Sequence, residues 1–389
     1  MIRLRWAACA VVALGILTTT APVDAQGLNE VLGRLLSNSC QGLNGPSSTA
    51  YGPDLIGFCQ GGGGAAAATG GTAGGEVRNG AEEQRSVYRR LRERQGAASA
   101  DTSGARGFSL FASADYQKFD KDTTSFEAGF ERDTVGGTIG ADFMFRNGLI
   151  LGTAFTYGHE FGNYEGIGGG FDHDAYGILA YVSVAPVANM FVDAVAGYTR
   201  RDYGFERRIS FANANNGASG PTRGDTDGNE FKLGVNAGYD FLFGSFTVGP
   251  RVGVLYRETT IDGYSESGRT GLELRYDNQN TQSLTTTAGV FASLAISTGF
   301  GVVVPQASAE YVHEFLDDQR SVGFRLVQNL NDARFLFQTE RPDRDYFNVG
   351  VGVSMVLPNG VTPFLSYREL LDYKDRSSHS VTVGLRFPF

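Results

Sequence analysis

FKLGVNAGYDFLFGSFTVGPRVGVLYRE, residues 231–258, sets how the remainder of the chain is parsed. Phe231, Leu233, Val235, Ala237, Tyr239, Phe241 and Phe243 share one parity, and Lys232, Gly234, Asn236, Gly238 and Asp240 the other. A period of two marks a strand with one apolar face and one polar or small face. Gly244-Ser245 reverses the chain, and a second run follows with Arg251 and Arg257 on the parity opposite Val252, Val254 and Tyr256.

Working outward, twelve such runs lie near 107–118, 134–146, 149–160, 172–184, 190–201, 229–243, 246–258, 283–297, 301–315, 345–356, 361–371 and 379–389. The tenth sets Phe347, Val349, Val351, Val353 and Met355 against Asn348, Gly350, Gly352 and Ser354. The last sets Val381, Val383, Leu385, Phe387 and Phe389 against Ser380, Thr382, Gly384 and Arg386. The fourth, fifth and ninth alternate less cleanly. Short turns at Asn147-Gly148, Pro186–Asn189, Gly244-Ser245, Thr298–Phe300 and Pro358–Gly360 take turns with long polar loops at about 119–133, 161–171, 202–228, 259–282 and 316–343, and a shorter one at 372–378. An even strand count with alternating short and long connections predicts an all-β fold, a 12-stranded antiparallel transmembrane β-barrel over 107–389, with its short turns in the periplasm. A soluble sandwich would also alternate. It would not need Phe, Val and Leu outward on nearly every strand, nor alternating loop lengths.

Composition agrees: 54 Gly, 28 Phe and 17 Tyr suit strands, tight turns and aromatic girdles, whereas 4 His and 3 Cys leave little for a metal or nucleophile site. No catalytic, cofactor or metal residues are expected. Residues 1–25 read as a signal peptide: Arg3 and Arg5, an apolar stretch from Trp6 to Leu17, and Val23-Asp24-Ala25 before Gln26. Such a leader addresses the chain to the Sec translocon. Its removal takes the net charge from -9 to -10, which argues against nucleic acid as partner. Residues 26–75 form a short N-terminal segment that ends in the Gly/Ala-rich linker GGGGAAAATGGTAGG, 61–75. Cys40 and Cys59, in an exported segment, are expected to form a disulfide. The linker lacks the strand before it and the Gly-Lys-Ser/Thr after it that a phosphate cradle needs.

Residues 76–106 carry a charged helix, with Glu82 and Glu83 ahead of Arg85, Arg89 and Arg90. Twelve tilted strands leave a lumen roughly 10–12 Å wide, about one helix with its side chains. The parity opposite the apolar face assigns Asp115, Asp142, Lys232, Asp240, Arg251, Arg257, Arg368 and Arg386 to that lumen. Both signs are present, so the interior is not a single-sign ion filter. The helix is expected to plug the barrel, its Arg and Glu residues pairing with those charges.

Signal peptide, short N-terminal region, linker helix and twelve strands ending in Phe389 resemble the autotransporter family of type V secretion. The run TVGGTIGADFMFRNGLILGTAFTYGHEFG, 134–162, is similar to the family's early hairpin, and VTVGLRFPF to its C-terminal signal. Pro388 departs mildly from that pattern. The resemblance implies that Val381, Val383, Leu385, Phe387 and Phe389 are read by the barrel-assembly machinery. It also implies a Gram-negative outer membrane whose lipid surrounds a monomeric barrel, and carriage of the N-terminal segment to the cell surface. Fifty residues are too few for the long β-solenoid usual in family passengers.

Two other functions compete. A surface adhesin would meet a host or cell-surface ligand through its long loops, where Arg223-Gly224-Asp225 sits in 202–228. A rim hydrolase would use His159, Glu160, Asp172, His173 and Asp174, expected to meet between strands three and four. No G-x-S-x-G nucleophile motif lies near them. His313 and Glu314 read as ordinary rim residues.

Overall fold

The computed structural model describes residues 107–389 apart from 125–127, 166–167, 213–216 and 329–333. The leader, Cys40 and Cys59, and the charged helix with Glu82, Glu83, Arg85, Arg89 and Arg90 lie outside the described residues. Twelve long strands follow one another: β1 Gly107–Lys121, β2 Phe130–Met144, β3 Ile150–Tyr164, β4 Gly169–Val184, β5 Met190–Ala212 and β6 Gly217–Tyr239. They continue as β7 Phe246–Ile261, β8 Gln279–Leu294, β9 Gly301–Glu314, β10 Asp345–Val356, β11 Thr362–Leu371 and β12 Arg376–Pro388. Each is antiparallel to its sequence neighbours. β1 and β12 close the ring, in register from Ser109–Pro388 to Lys121–Arg376. Pro388 has no amide proton, yet the seam is completed one residue later, where Phe389 N donates to Phe108 O (2.8 Å).

The period-two pattern explains the two faces. Ile139, Phe155, Ile178, Leu233, Val254, Val351 and Leu365 point outward and are exposed. Arg132, Thr138, Asp193, Thr199, Lys232 and Ser366 point inward and are buried. An apolar outside around a polar inside inverts a soluble protein and suits a lipid surround.

Glycine and aromatic residues meet across the wall. Phe111 pairs with Gly140, Tyr181 with Gly152, Phe171 with Gly162, Phe191 with Gly238, and Phe364 with Gly384. Each ring is buried on the inner face, lying over a glycine with no side chain of its own. A Cβ on Gly152 would come 2.2 Å from the Tyr181 ring, and one on Gly140 2.3 Å from Phe111. This accounts for much of the Gly and Phe in the composition: the small residue makes room, and the ring covers the bared backbone. At the tight turns a different demand acts. Gly148 closes the first one with φ of 78°, a left-handed conformation that glycine adopts without strain.

The structure departs from the sequence expectation at the outer end. Residues 202–212 and 217–228 are strand and not loop: β5 and β6 each run 23 residues against 15 for β1. Their hairpin therefore extends the wall by roughly 27 Å along the strand. Arg223-Gly224-Asp225 lies within β6, with Arg223 donating to Glu206 (Nε–Oε2 3.0 Å), and not on a loop tip. Loops 262–278 and 315–344 are folded too. Tyr264–Ser265, Leu274–Tyr276, Ser321–Leu326 and Phe335–Gln338 form a four-stranded sheet. Its Leu274, Tyr276, Phe324 and Leu326 are buried, and Tyr264 stacks on Phe205 of the hairpin (5.5 Å).

Gly140→Ala is expected to destabilise the barrel by about 1–3 kcal/mol through overpacking against Phe111. Gly299→Ala, where a Cβ would meet nothing within 4 Å, is the control. Thermal unfolding in detergent micelles should separate the two; equal stability would mean the ring shifts freely.

Candidate functional site

The inner wall carries ionisable groups from nearly every strand. Asp142, Lys232, Arg251, Arg257 and Arg386 are buried on the inward parity. Asp115 shares the inward parity of the buried Ser109, Phe111 and Gln117. Asp240 sits at the short-turn end, paired with Arg251. Arg368 of β11 reaches Glu310 of β9 (3.1 Å). Asp142 accepts from the Tyr181 hydroxyl (3.0 Å).

Partners that the sequence reading missed tie these groups together. Arg132 of β2 and Arg201 of β5 both bind Glu160 of β3, at 3.3 and 2.9 Å. Arg201 also reaches Glu230 of β6 (3.5 Å), which lies 2.9 Å from Lys232. The result is a chain of alternating sign, Arg132–Glu160–Arg201–Glu230–Lys232, with one positive charge in excess. Glu230 and Lys232 are fully buried. Withdrawing such charges from water costs several kcal/mol each, so the chain holds only as a connected set. One signal was available: Glu230 shares Lys232's parity, two residues upstream. Arg132 fell in a segment read as loop.

Further round the wall, a cavity of about 190 Å³ is lined by Arg257, Glu310, Asn348, Ser366 and Arg368, among others. Buried donor atoms on three side chains there have no hydrogen-bond partner: Nε and Nη1 of Arg257, Nδ2 of Asn348 and Nε of Arg368.

The five rim residues are brought into register but not onto one face. His159 pairs with Asp174 and Glu160 with His173 across β3 and β4. His159, Asp172 and Asp174 face outward; Glu160 and His173 face the lumen, His173 being 1% exposed. The wall divides an acid–base set that a hydrolase would need on one side. His313 and Glu314 are split in the same way. On β12, Val381, Val383, Leu385 and Phe387 all point outward, and the following Phe389 is exposed.

A closed ring of twelve strands, apolar outside and charged inside, is an outer-membrane β-barrel. Residues 110–368 match the autotransporter β-domain, and the chain therefore belongs to the autotransporter family. Outer membrane protein A of Rickettsia conorii is 25% identical over 233 residues, which are 58% of this chain and 11% of that protein. Esterase EstA of Pseudomonas aeruginosa is 29% identical over 175 residues, 43% of this chain and 26% of the esterase. The chain thus spans about a tenth to a quarter of these relatives' lengths. The translocator domain of the autotransporter NalP from Neisseria meningitidis superposes with a TM-score of 0.60 at 15% identity, over 79% of this chain and 97% of that one. The barrel lies in the outer membrane, with its apolar wall toward lipid.

The outer loops are held by carboxylates with depressed pKa. A hydrogen bond from Arg344 holds Asp317 below the usual carboxylate range, helped by the charge of Arg341. Burial pushes Asp277 up, but hydrogen bonds from Arg334 and Arg325 outweigh it and leave it low. Depressed carboxylates stabilise the fold above their unfolded pKa and lose that contribution as pH falls through the folded value. Protease sensitivity of 316–344 should therefore stay flat from pH 7 to 5 and rise only below about pH 4. A rise near pH 6 would place the control elsewhere.

Proposed function

We propose that residues 107–389 translocate the preceding segment, 26–75, to the cell surface, and that the charged stretch 76–96 then occupies the lumen. Glu82 and Glu83 meet lumenal donors such as Arg257, and Arg85, Arg89 and Arg90 meet the acidic members of the wall. What carries this reading is the buried lumen wall of mixed charge, with unpartnered guanidinium and amide donors around one cavity. Its topology supports it too: Gly107 enters at the end that bears the short turns and Phe389. A chain starting there reaches the other side only through the ring.

The barrel works as a monomer, since the closed ring leaves no free edge for a partner strand. The leader passes the chain to the Sec translocon. The outward apolar ladder Val381, Val383, Leu385, Phe387 and Phe389 is what the barrel-assembly machinery reads. Its rim residues do not form one acid–base set: Glu160 and His173 face the lumen, whereas His159, Asp172 and Asp174 face outward.

An epitope tag after Asn29 should be shaved by protease on intact cells while a periplasmic marker survives. Protection until the outer membrane is broken would place the segment in the periplasm and end the display reading. For the plug, Arg89→Glu with Arg90→Glu should raise single-channel conductance in planar bilayers. Unchanged conductance would mean that the charged stretch does not fill the pore.

A further inference from the structure

Tyr157-Gly158-His159-Glu160-Phe161 on β3 returns as Tyr311-Val312-His313-Glu314-Phe315 at the end of β9. Each faces an Asp-x-Asp on the next strand or just before it, at 172–174 and at 343–345. The two copies lie six strands apart in a ring of twelve, on opposite sides of the barrel. In both, the Glu points into the lumen while Tyr and His point outward. The second aspartate takes the same contacts each time. Asp174 Oδ1 accepts from the Tyr157 hydroxyl (2.8 Å) and lies 3.1 Å from His159 Nδ1. Asp345 accepts from Tyr311 and lies 2.6 Å from His313 Nδ1.

The copies part at the first aspartate. Asp172 Oδ2 lies 3.6 Å from His159 Nε2, the other ring nitrogen. Asp343 is turned away and accepts from the backbone N–H of Lys374. We propose that His159 and Asp172, with Asp174 behind them, form a binding site for a divalent transition metal of the zinc type on the outer wall of the barrel.

The geometry leads there. Both ring nitrogens of His159 face carboxylates, Nδ1 toward Asp174 and Nε2 toward Asp172. Two ligands of a tetrahedral zinc ion stand about 3.4 Å apart at the usual bond lengths, and the gap here is 3.6 Å. The ligand atoms of all three residues lie within 4.8 Å of one another. An imidazole nitrogen beside carboxylate oxygen selects zinc-type ions over magnesium or calcium, which prefer all-oxygen shells. Asp174 on Nδ1–H is the outer-shell carboxylate that orients a metal-binding histidine and raises its basicity. Asp172 is well exposed, which leaves further coordination positions open to water or to a headgroup.

The chain has 4 histidines, so ring-labelled histidine gives four imidazoles to follow by NMR in the full-length, untagged protein in micelles. On adding zinc chloride, the signal lost in His159→Gln should shift and saturate, while His313 and His379 stay in place. Asp172→Asn should weaken the effect roughly tenfold or more. Both variants lie on the outer face, and retained thermal unfolding of the barrel checks their fold. The proposal fails if His159 does not move. It fails equally if all three outward histidines move together, if Asp172→Asn behaves as the parent, or if equimolar magnesium displaces the zinc.

Discussion

Inside hydrocarbon no water pairs with a backbone amide or carbonyl, so every such group must find its partner within the protein. For a chain built of strands this leaves closure as the one solution. The pairing of β1 with β12 is thus the condition on which the other features rest. Closure imposes alternation, because each residue of a closed wall faces either lipid or lumen. Alternation places the charges inside, and the narrow interior makes glycine useful, since a large inner ring beside a small cross-strand neighbour fits the curve.

The lumen is then a polar core enclosed by a greasy shell. Its charges are a liability alone and a scaffold together. Arg132, Glu160, Arg201, Glu230 and Lys232 span four strands and lock their relative heights, because slipping any strand by one residue would move its charge into lipid. Register and electrostatics enforce one another here. Around the cavity further along the wall, Arg257 and Asn348 keep buried donor atoms without a hydrogen-bond partner.

The membrane-embedded part of the fold was legible in the sequence because lipid imposes a strict period of two. Legibility stopped where lipid stops. Residues 202–228 read as loop because, above the membrane, neither face of the hairpin meets hydrocarbon, and Gly, Asn, Asp and Thr are tolerated on both sides. The outer sheet joins 264–276 to 321–338, a pairing between distant segments that no local pattern announces. The rim histidines illustrate a finer limit. Sequence placed His159, Glu160, His173 and Asp174 close together, and close they are. Parity alone, followed one residue further, separates those facing lipid from those facing the lumen. The charged helix and the cysteine pair lie outside the described residues, so their reading still rests on composition and spacing.

The seam has a bearing on timing. Arg386 contacts Ser109 across 277 residues of chain. Nearly all other strand pairs form between sequence neighbours and can zip up hairpin by hairpin, whereas this one waits for the far end of the polypeptide. Contacts of such long separation are entropically late and leave exposed edges while they wait. Until β12 is delivered, the nascent sheet is an open strip with two sticky margins. That interval is when it is most prone to aggregate.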